Sequence, residues 1–152
     1  MKSTHAILIV VVATAIAVML AIYLTPLKHL NLVAPETKDI DPAEFWADYS
    51  ANPEKYMFID VRQTADYDEN HAKGSINIPI QKLFEQHGEL PKSGKTIVLI
   101  CTGGSLSGVA YGYLEHQGFL NLLRIKGGLR NWIIEGMPIE NASTSPDVES
   151  GT

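Results

Sequence analysis

The stretch TIVLICTGGSLSGVAYGYLEHQGF, Thr96 to Phe119, changes character twice. Thr96 to Cys101 is apolar and rich in β-branched residues, the composition of a strand buried on both faces of a parallel sheet. After Cys101, Leu106, Val109 or Ala110, and Tyr113 or Leu114 recur at helical spacing. The spacing predicts a helix that opens near Ser105 to Ser107 and ends at Gln117, with Gly118 as its stop. A second buried-strand run is YMFID, Tyr56 to Asp60, and INIPI (Ile76 to Ile80) and NLLRI (Asn121 to Ile125) are shorter ones. Helical stretches at Pro42 to Tyr49, Thr64 to Asn70, Ile80 to Gln86 and Leu129 to Glu135 separate them. Such alternation predicts an α/β fold with a mainly parallel sheet. Asp41, Pro42 and Glu44 supply an N-cap, a first helical residue and a third-position acid for the first of these helices.

Outward from this core the chain changes composition. Ala6 to Leu24, AILIVVVATAIAVMLAIYL, is 19 residues without a charge. As a helix it would be roughly 28 Å long, close to the thickness of a bilayer's hydrocarbon core. The run exceeds the usual apolar core of a cleaved signal peptide, and no Ala-x-Ala site precedes TPLKHL. The expectation is a single-pass anchor at residues 6–24 behind a short flank at 1–5, with the globular part outside the cytoplasm. Residues 25–37 read as a linker, 38–140 as one domain, and 141–152, polar and Ser/Thr-rich, as a disordered tail. The Asn-Ala-Ser sequon at Asn141 falls in that tail by composition alone.

The 152 residues carry a net charge of −5. Residues 1–34 hold Lys2 and Lys28 and no acid, which leaves 10 basic and 17 acidic residues beyond them, a net −7. A surface of that sign is repelled by phosphate backbones, so nucleic acid is not an expected partner. The single cysteine excludes an internal disulfide, a CxxC redox pair and a cysteine-rich zinc site, and no metal or cofactor is called for.

That leaves Cys101 as either a packed thiol or a reactive one. The loop after it, Thr102, Gly103, Gly104, Ser105, Leu106 and Ser107, joins the strand to the helix. Its glycines allow backbone N–H groups to turn inward, and the following helix start adds partial positive charge. Such a loop favours a thiolate and cradles an anion beside it, with the Ser105 and Ser107 hydroxyls as further donors. Filler packing at a strand end, with glycines for the turn alone, is the other reading.

Three pieces of the chain, between about Ile40 and Ile139, resemble the rhodanese homology family. FIDVRQTADYDENHAKGSINIP is similar to its first signature, CTGGSLS to its active-site loop, and GGLRNWIIEGMPI to its closing signature. In the loop, Cys101, Gly104 and Ser107 fall on the family's Cys, Gly and Ser; in the last piece Gly127, Gly128, Trp132, Gly136 and Pro138 match. The resemblance implies a five-stranded parallel sheet flanked by helices. It also implies sulfurtransferase chemistry, in which the Cys101 thiolate takes a sulfane sulfur as a persulfide and hands it to a thiol or cyanide. The partners so implied are a small sulfane-sulfur donor and a thiol acceptor, with residues 102–107 as the persulfide-binding loop.

One position departs from the pattern. Many active members carry arginine immediately before the loop's last Ser or Thr, where this chain has Leu106. Without that guanidinium, thiosulfate should be a weak donor and a persulfide a better one. A non-catalytic binding or sensing module at the membrane is the alternative. A phosphatase or arsenate reductase loop is disfavoured, since its oxyanion-binding arginine would stand at Ser107. Asp60, Arg62 and His71 are supporting residues: the first two as an ion pair that fixes loops, ahead of a catalytic role, the third as an ordinary exposed or loop-bonding histidine. Trp132, with Leu129 and Ile133, reads as core.

Overall fold

Two strands set the fold. In a computed structural model, which describes residues 11–17 and 37–141, β2 (Tyr56–Asp60) and β5 (Thr96–Ile100) lie parallel, paired along all five residues. Around them the sheet runs β1 (Asp39–Ile40), β6 (Leu122–Ile125), β5, β2, β4 (Ile76–Asn77), parallel throughout. The apolar runs behave as buried parallel strands should: Ile97, Val98, Leu99 and Ile100 are all fully buried.

Alternation along β5 divides the core. Ile97, Leu99 and Cys101 face one layer, where Leu83 of α3 (Ile80–Gln86) and Ala110, Tyr111 and Leu114 of α4 (Ser105–His116) pack. Val98 and Ile100 face the other, with Phe45 of α1 (Pro42–Tyr49) and Leu129 and Trp132 of α5 (Gly128–Ile134). A last helix, α2 (Thr64–Glu69), follows β2.

The order of strands locates the site. From β2 the chain moves outward to β4, whereas from β5 it moves the opposite way to β6. The two loops therefore part from each other at the carboxyl ends of β2 and β5, leaving the crevice where open parallel sheets bind ligands. Val61 N–H still bonds the Ile100 carbonyl at 3.0 Å, so the two loops start side by side.

Several elements differ from their sequence-based bounds. INIPI is strand only at Ile76–Asn77, because α3 begins at Ile80 directly after Pro79. Cys101 lies one residue past β5, and α2, α4 and α5 end one residue earlier than periodicity suggests. Asp41 makes no capping bond; its carboxylate pairs with Lys126 Nζ at 3.1 Å instead. Two short features carry no sequence signal: β1, and an antiparallel pair between β3 (His71–Ala72) and β7 (Ile139–Glu140).

The chain divides into two units, 1–36 and 37–152, each described by itself. Residues 11–17 are helical and exposed. The rest of the expected anchor at 6–24 and the tail beyond Asn141 lie outside the described residues, as does the expected linker at 25–37 except its last residue. Among the described residues, no helix is long and apolar enough to cross a membrane.

Candidate active site

Cys101 is 2% exposed, at the mouth of the turn between β5 and α4. Its Sγ accepts hydrogen bonds from Gly104 N–H at 3.2 Å and Ser107 N–H at 3.3 Å. The thiol donates to Ser107 Oγ at 3.4 Å, and that hydroxyl donates to the Gly104 carbonyl at 3.1 Å. A hydroxyl rotates freely, so on ionisation of the thiol Ser107 is placed to turn its hydrogen to the sulfur. Two fixed amides and one adjustable hydroxyl make a site for negative charge on Sγ or on an atom bound to it. Gly104 adopts φ +99°, a conformation that side chains resist and that aims its N–H at the sulfur.

The loop is held from two directions. From below, α5 supplies backbone donors: Leu129 N–H to the Cys101 carbonyl at 2.8 Å and Arg130 N–H to the Thr102 carbonyl at 3.0 Å. Gly128, at φ +64°, makes that approach possible, since a Cβ there would stand 2.2 Å from the Cys101 carbonyl oxygen. From the side, Arg124 of β6 grips three acceptors. Nε and Nη2 hold both Asp39 carboxylate oxygens at 2.7 and 2.8 Å, while Nη1 donates to the Gly104 carbonyl at 3.0 Å. Those bonds to Asp39 raise the Arg124 pKa above its ordinary value. Gly108 is part of the arrangement, because a Cβ there would meet Nη1 at 2.8 Å.

Asp60 and Arg62 form a buried, bidentate pair. Arg62 Nε reaches both carboxylate oxygens at 3.0 and 2.9 Å, and Nη2 reaches Oδ2 at 2.7 Å and the Asn70 carbonyl at 2.6 Å. The pair ties the loop after β2 to the end of α2, and its cation is already matched. His71 lies outside the cysteine cleft. Its Nδ1 donates to the Tyr67 carbonyl at 2.8 Å, its ring stacks on Tyr67 at 3.7 Å, and its Nε2 is 4.0 Å from Glu140.

Above Cys101 opens a cleft of about 360 Å³, lined by Arg62, Gln63, Asp66, Cys101, Thr102, Gly103, Ser105, Leu106 and Arg130. Thr102, Gly103, Ser105 and Leu106 thus face the cleft, while Gly104 and Ser107 turn their N–H groups to the sulfur. Gln63, Asp66, Arg124 and Arg130 also belong to the site, without a motif to mark them. Arg124 left a faint trace as the one charge in NLLRI. The others became neighbours only through the packing of α2 and α5 around the loop. No cluster of metal-ligating side chains occurs among the described residues.

A parallel sheet with a cysteine-headed strand-to-helix loop at its switch point defines an α/β domain of the rhodanese type, and the model of the rhodanese-like domain matches residues 41–135. The chain belongs to that family. Among its relatives is a sulfurtransferase of Allochromatium vinosum, 28% identical over 89 residues that cover 59% of this chain and 82% of the relative. Another is a probable molybdopterin-synthase adenylyltransferase of Porphyra purpurea, 32% identical over 62% of this chain. The matched segment is 25% of that relative's length. A crystal structure of a rhodanese-related protein from Thermoplasma volcanium superposes with a TM-score of 0.59 at 32% identity, covering 68% of this chain and 97% of the other.

Proposed function

We propose that the protein is a sulfurtransferase in which Cys101 is the nucleophile. The thiolate attacks the sulfane sulfur of a donor, the Sγ–S bond forms, and the donor's S–S bond breaks. With thiosulfate the electron pair would leave on sulfite; with a persulfide it leaves on a thiolate. In the second half, an acceptor thiolate or cyanide attacks the outer sulfur and Cys101 departs as thiolate again. Splitting the transfer in this way lets one anion-stabilising loop serve both displacements.

The observation that carries the reading is the pair of amide donors on Sγ at the floor of an open cleft. A thiol kept only as packing has no use for either. Against thiosulfate stands Leu106, which lines the cleft with carbon where a cation would hold a dianion. We therefore expect persulfides to be the better donors. The test is intact mass of the full chain after incubation with a persulfide donor. A gain of one sulfur atom, lost with dithiothreitol and absent in Cys101→Ser, is the expected result. No uptake from any sulfane donor would instead leave a binding or sensing module.

Residues 6–24 support a second element of the proposal: a single-pass anchor with the domain outside the cytoplasm. Retention of the full chain in the membrane pellet after alkaline carbonate extraction, with protease sensitivity from the outer face, tests both halves. Release into the carbonate supernatant would remove the anchor.

A further inference from the structure

Three charged groups in and beside the cysteine cleft are unmatched. Arg130 lines the cleft above Cys101 and also an adjoining cleft of about 300 Å³, and Asp66 lines both with it. Glu69 stands on the wall of the second cleft. Among the described residues Arg130 makes no ion pair or side-chain hydrogen bond, and neither Asp66 nor Glu69 meets a cation within ion-pair distance. Arg62 adds nothing to this balance, because Asp60 neutralises it. The cysteine cleft therefore presents one free guanidinium and one free carboxylate beside a sulfur that reacts as an anion, with a second free carboxylate on the adjoining cleft.

A dianion is the wrong guest for such a site: it gains one guanidinium and faces the like charge of Asp66, with Glu69 on the cleft next to it. A guest with a carboxylate and an ammonium on one small frame fits instead, the carboxylate at Arg130 and the ammonium at Asp66. Leu106 offers its apolar side chain to the carbon between them and the sulfur. Resting on the reading of Cys101 as nucleophile, we infer that the donor is a zwitterionic α-amino-acid persulfide, held by Arg130 and Asp66. The step balances without any oxidant. Cys101 thiolate attacks the outer sulfur of R–S–SH, Sγ–S forms, the donor S–S bond breaks, and the departing RS⁻ takes the proton from the new persulfide. Arg130 and Asp66 are specificity-determining groups in this scheme, since neither touches the bond that breaks.

The experiment measures the second-order rate of sulfur loading on the full chain with four donors: cysteine persulfide, its methyl ester, its N-acetyl derivative and thiosulfate. The wild type should load fastest from cysteine persulfide, by about tenfold over each blocked form, the scale of one charge-assisted hydrogen bond. Arg130→Gln should slow the two donors with a free carboxylate and spare the ester. Asp66→Asn should slow the two with a free ammonium, spare the N-acetyl donor and speed thiosulfate. Equal rates for the three persulfides in the wild type, or a uniform slowing of every donor in both variants, would overturn the assignment. Absence of loading from all four donors would sink the nucleophile reading itself, so the two failures are distinct.

Discussion

Replacing Gly128 by alanine tests how the cysteine loop is held. Gly128 and Gly136 share a left-handed backbone, at φ +64° and +72°, so both substitutions carry the same conformational penalty of about 1–2 kcal/mol. They differ in what the new methyl meets. At Gly136 nothing lies within 4 Å, whereas at Gly128 the Cβ would be 2.2 Å from the Cys101 carbonyl oxygen and 3.0 Å from the Gly103 and Gly104 nitrogens. All three are backbone atoms, so no side chain can swing aside; loop and helix must part by about an ångström. Overpacking of this kind adds about 1–3 kcal/mol, which brings Gly128→Ala to roughly 2–5 kcal/mol in all. The displaced atoms are also those that aim the donors at Sγ, and a misplacement of about 1 Å costs on the order of 100-fold in rate. Guanidinium unfolding of both variants, beside sulfur loading followed by intact mass, separates the effects. Gly136→Ala should lose a little stability and no activity; Gly128→Ala should lose both. Equal unfolding midpoints and equal loading rates would refute the close-approach argument.

Arg124→Gln should slow sulfur loading about tenfold and leave tryptophan fluorescence native, because Gly104 loses the cation on its carbonyl; Arg124→Lys should not rescue it, since a point charge cannot span Asp39 and Gly104 together. Leu106→Arg should raise thiosulfate turnover by about tenfold or more, read as kcat/KM, at a small loss of stability from the apolar contacts Leu106 makes with the core. Alkaline pH should weaken the fold through Tyr56, whose hydrogen bond to Asp48 pushes its pKa up to about 12. Below its ordinary 10.0 that contribution is whole; above it the unfolded chain gives up a proton that the folded one keeps, so stability falls until about 12. The same bond lowers the Asp48 pKa, a gain present above 3.8 and lost as pH falls below it. Tyr56→Phe should remove the alkaline dependence from urea midpoints measured across pH and reduce the acid one, since Asn52 and Lys55 still act on Asp48.

The long apolar strands and the cysteine loop were legible because each is local. Tyr56–Asp60 and Thr96–Ile100 carry their burial in their own composition, and Cys101-Thr-Gly-Gly-Ser sits where a strand pattern turns helical. The two-residue strands β1, β3 and β7 were not legible, because so short a segment has no periodicity and gains its pairing only from a neighbour. Asp41 looked like a cap, and the competing cation that engages it, Lys126, is far away in sequence. The same reason hid Arg124 and Arg130. Their positions relative to Cys101 arise from β6 lying next to β5 and α5 packing beneath the loop.

Arg124 has a consequence for where this domain ends as a working unit. The family match covers residues 41–135, yet the carboxylate that anchors Arg124 belongs to Asp39, two residues before it begins. Through one guanidinium the edge strand β1 is wired to the Gly104 peptide, and through that peptide to the sulfur. Homology therefore outlines a segment shorter than the one that holds the cysteine loop in place. A fragment cut to the match keeps the cysteine, both central strands and Arg124, and discards the counter-charge that keeps Arg124 pointed at the loop.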